Sequence, residues 1–114
     1  MNAAQRLTKD LGQLHDANIT KFTWEAGKQT FTLHIDDLYS NFEGLPEYPG
    51  QTPATITFKN VAQLETSIDL KERLWIYSWE FLDEENRKVA LIGFTPGGRM
   101  RIVFSDLEIE EHKS

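Results

Sequence analysis

The segment Leu74-Trp75-Ile76-Tyr77-Ser78-Trp79-Glu80-Phe81-Leu82 constrains this chain more than any other. Period-two alternation puts Trp75, Tyr77, Trp79 and Phe81 on one face of a strand, and Leu74, Ile76 and Leu82 on the other. Apolar demand on both faces predicts an antiparallel, sheet-built domain. The pattern speaks to fold and carries no chemistry.

The rest of the chain reads around that strand. Residues 2–14 have the spacing of a helix, with Leu7, Leu11 and Leu14 in one apolar stripe and Gly12 weakening the last turn. Residues 18–25 and 30–36 form a hairpin. Phe22 and Trp24 alternate in its first arm, Phe31, Leu33 and Ile35 in its second, and Gly27 supplies turn freedom. Residues 37–53 hold three prolines and two glycines, which forbid a long helix or a central strand. The same stretch carries Leu38, Tyr39, Phe42, Leu45 and Tyr48, so it reads as a packed loop rather than a disordered linker. Residues 54–59 are a short strand. Residues 60–70 are ambiguous, because Val61, Leu64 and Ile68 have helical spacing. Strands at 72–83, 88–95 and 99–104 follow, joined by Glu84-Glu85-Asn86-Arg87 and by Pro96-Gly97-Gly98, and Leu107 and Ile109 alternate with acids in a last one. The expected fold is α+β: an N-terminal helix, then a mainly antiparallel β-meander curled into a half-barrel or two-layer sandwich, as a single domain over residues 1–114.

A chain of 114 residues can bury a core without staples, and this one has no cysteine. Thiolate chemistry and disulfides are excluded, and a reducing, cytoplasmic home is expected. Met1 to Leu7 shows no apolar run of the signal-peptide kind, and no stretch has the length of a membrane span. The formal net charge is −6. Acids gather at Glu80, Asp83, Glu84 and Glu85, and again at Asp106, Glu108, Glu110 and Glu111. Such a surface repels phosphate backbones and anionic membranes, and suits a basic protein partner.

Residues with chemical potential are few. His15 and Asp16 follow the helix, and His34 with Asp36 and Asp37 ends the first hairpin. Two histidines and a carboxylate brought together would resemble a metal or acid–base site. Read locally, Asp16 caps backbone donors at the corner, and His34 lies opposite the apolar face. Thr95-Pro96-Gly97-Gly98-Arg99 could hold an anion on glycine N–H groups, but a strand rather than a helix follows, so a hairpin turn is the better reading. The aromatic face Trp75, Tyr77, Trp79 and Phe81 could stack bases or sugars, yet a sheet of this size needs it as core. No serine stands in a nucleophile-elbow context, and no cofactor signature occurs.

The string Leu14-His15-Asp16-Ala17 between helix and first strand resembles a group of small bacterial proteins of uncharacterised function. Its members carry Leu-His-Asp-Ala or Leu-His-Asp-Ser there, and some are similar to the immunity proteins of polymorphic toxin systems. The resemblance implies a cytoplasmic, non-enzymatic bacterial protein that binds and blocks a toxin, and it assigns no catalytic residue. The expected function is therefore a non-catalytic protein-binding domain. Its partner-facing residues would be Tyr39, Phe42 and Tyr48 in the loop with Glu80, Asp83, Glu84 and Glu85. The alternative is a small-ligand or enzymatic site near His15, Asp16 and the loop 38–48. A third reading is self-association into a homodimer through an exposed strand edge.

Overall fold

The computed structural model describes residues 2–70 and 72–112. Eight strands make two antiparallel sheets: β1 Ile19–Glu25, β2 Thr30–Ile35, β3 Ala54–Lys59, β4 Gln63–Ile68, β5 Trp75–Glu84, β6 Arg87–Thr95, β7 Gly98–Phe104 and β8 Asp106–Glu111. One sheet has the order β1-β2-β3-β8 and the other β4-β7-β6-β5. A short N-terminal helical segment precedes them. The expected antiparallel, mainly β architecture with a helix at its start is present.

The two sheets share one core. The Phe58 ring of β3 stacks on Trp79 of β5 with centroids 6.0 Å apart, and meets Phe104 of β7 edge-on at 4.9 Å. Leu33, Ile56, Phe58, Ile76 and Ile102 are fully buried around them. Each such side chain contributes about 1.5–3 kcal/mol on leaving water.

The helical segment is shorter and less regular than its leucine stripe predicts. Asn2 and Gln5 form a reciprocal capping box, the Gln5 N–H donating to Asn2 Oδ1 at 2.8 Å and the Asn2 N–H to Gln5 Oε1 at 3.1 Å. Ala3–Gln5 is α-helical, Arg6–Asp10 widens to a π-helical turn, and Gly12–Leu14 tightens to a 3₁₀ turn. Gly12, Gln13 and Leu14 all take positive φ, near 59°, 60° and 56°. Leu7, Leu11 and Leu14 are nonetheless buried, so the stripe is satisfied by a chain that leaves the helix rather than continues it. Gly12 is needed there: a Cβ would lie 2.1 Å from Asn41 Nδ2.

One ambiguity is resolved and two other expectations are corrected. Residues 63–68, ambiguous in the sequence, are strand β4, because they pair along β7 in unbroken register from Gln63 opposite Val103 to Ile68 opposite Gly98. In the β1–β2 turn the left-handed residue is Gln29, φ 53°, and not Gly27. The aromatic strand does not present one aromatic face. Ile76 pairs with Phe94 and Ser78 with Gly93, so Tyr77 and Ser78 together oppose one residue. This β-bulge shifts the alternation by one. Ile76 and Trp79 both enter the core, Phe81 is half-buried against it, and Tyr77 is 63 % exposed.

Candidate functional site

The outer face of the second sheet is a trough of about 880 Å³ running across β4, β7, β6 and β5. Register sets three rows of side chains on that face, of which the first two line the trough and the third lies beside it. Ser67, Arg99, Gly93 and Ser78 make one row. Glu65, Arg101, Leu91 and Glu80 make the next. Gln63, Val103, Val89 and Leu82 make the third. Small residues deepen the first row, where a Cβ on Gly93 would lie 2.5 Å from Ser78 Oγ. Arg101 reaches over the third row: its guanidinium donates to Gln63 Oε1 at 3.0 Å and to Glu84 Oε2 at 2.7 Å. That span ties β4 to β5 and keeps Val89 and Val103 buried on the outer side of the sheet. Gln13 closes the trough at the N-terminal corner.

The rim of the trough on one side is β4, and it is unusual among the four sheet edges. β1 carries Lys21 and an irregularity between Ile19 and Lys21. β8 is strongly acidic, and Arg6 of the N-terminal segment pairs with its Glu111 at 3.1 Å. β5 is bulged, and its first half is covered by residues 16–19, with backbone bonds Asp16 N–H to Ile76 O, Ile76 N–H to Ala17 O and Ile19 N–H to Leu74 O. Its second half carries Glu80, Asp83 and Glu84. Charge, bulges and covering segments are the usual protections of an edge. β4, reading Gln63-Leu64-Glu65-Thr66-Ser67-Ile68, has one charge, no proline, no lysine and no bulge. Its residues are exposed on both faces, with only Ile68 half-buried. Helical spacing at Val61, Leu64 and Ile68 hid this strand in the sequence. The signal that could have revealed it is the β-branched and polar run Glu65-Thr66-Ser67-Ile68.

The other candidate residues fall in separate places. His15 and His34 are not brought together. His15 Nδ1 lies 3.2 Å from Asp16 Oδ2, and its ring is 5.9 Å from Tyr77 at the bulge. No hydroxyl or amine nucleophile bonds to that imidazole among the described residues. His34 lies on the outer face of the first sheet, with Nε2 2.9 Å from Thr23 Oγ1. Burial, then the charges of Lys21 and His112, hold its pKa below the ordinary histidine value. Among the described residues no three His, Asp or Glu side chains converge on a point where a metal could sit.

Asp16 is not the local cap that the sequence suggests. Its side chain is mostly exposed, and Asp36 Oδ1 accepts the Asn18 N–H at 2.9 Å instead. The loop aromatics are turned to structural work. Asp37, buried, accepts the Tyr39 N–H at 3.0 Å, the Thr52 N–H at 3.1 Å and the Tyr48 hydroxyl at 2.5 Å. That hydroxyl bond, with burial behind it, pushes the Tyr48 phenol up to about 12. The Tyr39 hydroxyl donates to Glu111, which raises its pKa as well. Phe42 is half-buried in a 3₁₀ turn, and Leu45 near the tip is exposed.

The acidic residues expected beside this loop are elsewhere. The loop packs on the 12–15 corner and on the β8 end, as the bond from Ser40 Oγ to His15 O shows. Glu84 and Glu85 stand at the far tip of β5, about nine residue steps or roughly 30 Å from the covered end. Glu85 and Asn86 take φ of 47° and 67°, the double left-handed conformation of a tight two-residue hairpin. Of the acidic set, Glu80 faces the trough and Glu84 is engaged by Arg101. Asp83 lines a separate depression beside the N-terminal segment.

No protein-family model and no curated protein matches this chain. No helix among the described residues is long and apolar enough to cross a membrane.

Proposed function

We propose that this chain is a non-catalytic protein-binding domain of the bacterial cytoplasm that accepts an extended segment of its partner along β4. One observation carries the reading: β4 is exposed on both faces and, apart from the single charge of Glu65, has among the described residues no bulge and no covering segment of the kind that guard the other edges. A free edge offers unpaired N–H and C=O groups at strand spacing, which is the template for strand addition. The trough beside it supplies a shaped surface for the incoming side chains.

Toxin neutralisation is the most concrete version. It draws on the Leu14-His15-Asp16-Ala17 resemblance, and the surplus of negative charge suits a basic, nuclease-type toxin. The test takes the product of an adjacent toxin gene as partner. Affinity and association rate are measured for wild type, Thr66→Lys and Thr66→Glu. Either charge on the inner face of an edge strand blocks pairing, while Thr66 is exposed, so stability should change by no more than about 0.5 kcal/mol. Both variants are expected to bind at least roughly tenfold more weakly, equivalent to about 1.4 kcal/mol. Unaltered binding by both would show that β4 is not the docking strand.

A further inference from the structure

We propose that the segment accepted by β4 is basic and alternating, with Lys or Arg opposite Glu65 and apolar residues opposite Leu64, Thr66 and Ile68. The inference rests on the strand-addition reading and specifies the partner's chemistry. A strand added to β4 must share its pleat, so its side chains alternate between the core-side face and the trough face. On the core side it meets Leu64, 37 % exposed, and Ile68, half-buried at the margin of the core. Apolar side chains there would remove both from water. On the trough side it meets Glu65.

Glu65 is the one charge on β4, and its cross-strand neighbour does not neutralise it. Arg101 stands directly opposite Glu65 on β7, yet its guanidinium is committed to Gln63 and Glu84. Among the described residues no cation lies within ion-pair distance of Glu65. An acid on an otherwise unprotected edge selects the sign of what pairs with it, because like charges directly opposite each other are unfavourable. The molecule as a whole agrees in sign, with a formal charge of −6.

The same observations argue against a second copy as occupant. Two such chains repel through their net charge. An antiparallel pair centred on Glu65 would also set the two Glu65 side chains against each other. A basic partner strand has neither difficulty.

The experiment uses the full chain, labelled with ¹⁵N, and two twelve-residue peptides. One alternates valine with lysine and the other valine with glutamate. Binding is followed by chemical-shift change and amide exchange protection at residues 63–68. The lysine peptide is expected to protect β4 amides and to bind roughly three- to tenfold more tightly than the glutamate peptide, the range of a favourable against an unfavourable cross-strand pair. That preference should shrink at high salt. Glu65→Gln should weaken it and Glu65→Lys should weaken it further. Both substitutions fall on an exposed residue.

Equal binding of the two peptides at β4, unchanged by Glu65→Lys, would overturn the charge selection and leave strand addition standing. Failure of both peptides to protect β4 would overturn both. Protection of β4 that rises with protein concentration alone would identify a second copy as the occupant and would also overturn the proposal.

Discussion

Asp36 and Asp16 both stand near the corner where the helical segment gives way to β1, and they do different work. Asp36 Oδ1 takes the Asn18 N–H at 2.9 Å, while the Asn18 side chain takes the Leu74 N–H at 3.3 Å. These bonds tie β1, β2 and the start of β5 together. Asp36→Ala leaves the Asn18 donor without its acceptor, and should cost about 1–3 kcal/mol in urea denaturation. Asp16 has φ near 69° and an exposed carboxylate. Glycine accepts that backbone without strain, so Asp16→Gly should leave stability within about 0.5 kcal/mol. A larger loss from Asp16→Gly than from Asp36→Ala would mean that the His15–Asp16 pair holds the corner. The sequence showed that this corner needs an acceptor. It could not show which aspartate supplies it, because the choice depends on the β1–β2 pairing that carries Asp36 back beside Asn18.

The bulge in β5 decides what the aromatic strand does. Trp79 is 1 % exposed, flat against Phe58, and its indole Nε1 has no hydrogen-bond partner among the described residues. Trp79→Ala should cost about 3–5 kcal/mol, as aromatic truncations in cores do. Trp79→Phe should cost clearly less, because the ring contact is largely kept and a buried, unsatisfied donor is removed. Unfolding midpoints of the two variants make the comparison, and equal losses would contradict this account of the site. Tyr77, one bulge position away, contributes exposed surface and not core. The turn β6–β7 shows similar local control: Gly98 takes φ near 118°, and a Cβ there would lie 2.5 Å from Ser67 O of β4. Glycine at this position lets β4 dock on β7.

At the scale of the molecule, one core joins both sheets, with Phe58 of the first touching Trp79 and Phe104 of the second. Loss of near-ultraviolet aromatic signal and loss of far-ultraviolet sheet signal should therefore coincide in a single urea transition. Separate midpoints would mean that the sheets are independent units. The same arrangement creates the candidate site, since β4 ends its sheet and no other described strand pairs with its outer edge.

Alternation, turn residues and apolar content were enough to read most strands, the packed loop and the acidic, cysteine-free character of the chain. These are local properties: period-two burial, proline and glycine backbone limits, and counted charge. The bulge at Tyr77, the strand identity of residues 63–68 and the inward use of Tyr39 and Tyr48 were decided by tertiary structure. Each depends on a partner outside the local pattern: Gly93 for the bulge, β7 for β4, Asp37 across the loop for Tyr48 and Glu111 for Tyr39. Whether an edge is covered is likewise a relation between strands, and no window of residues along β4 contains it.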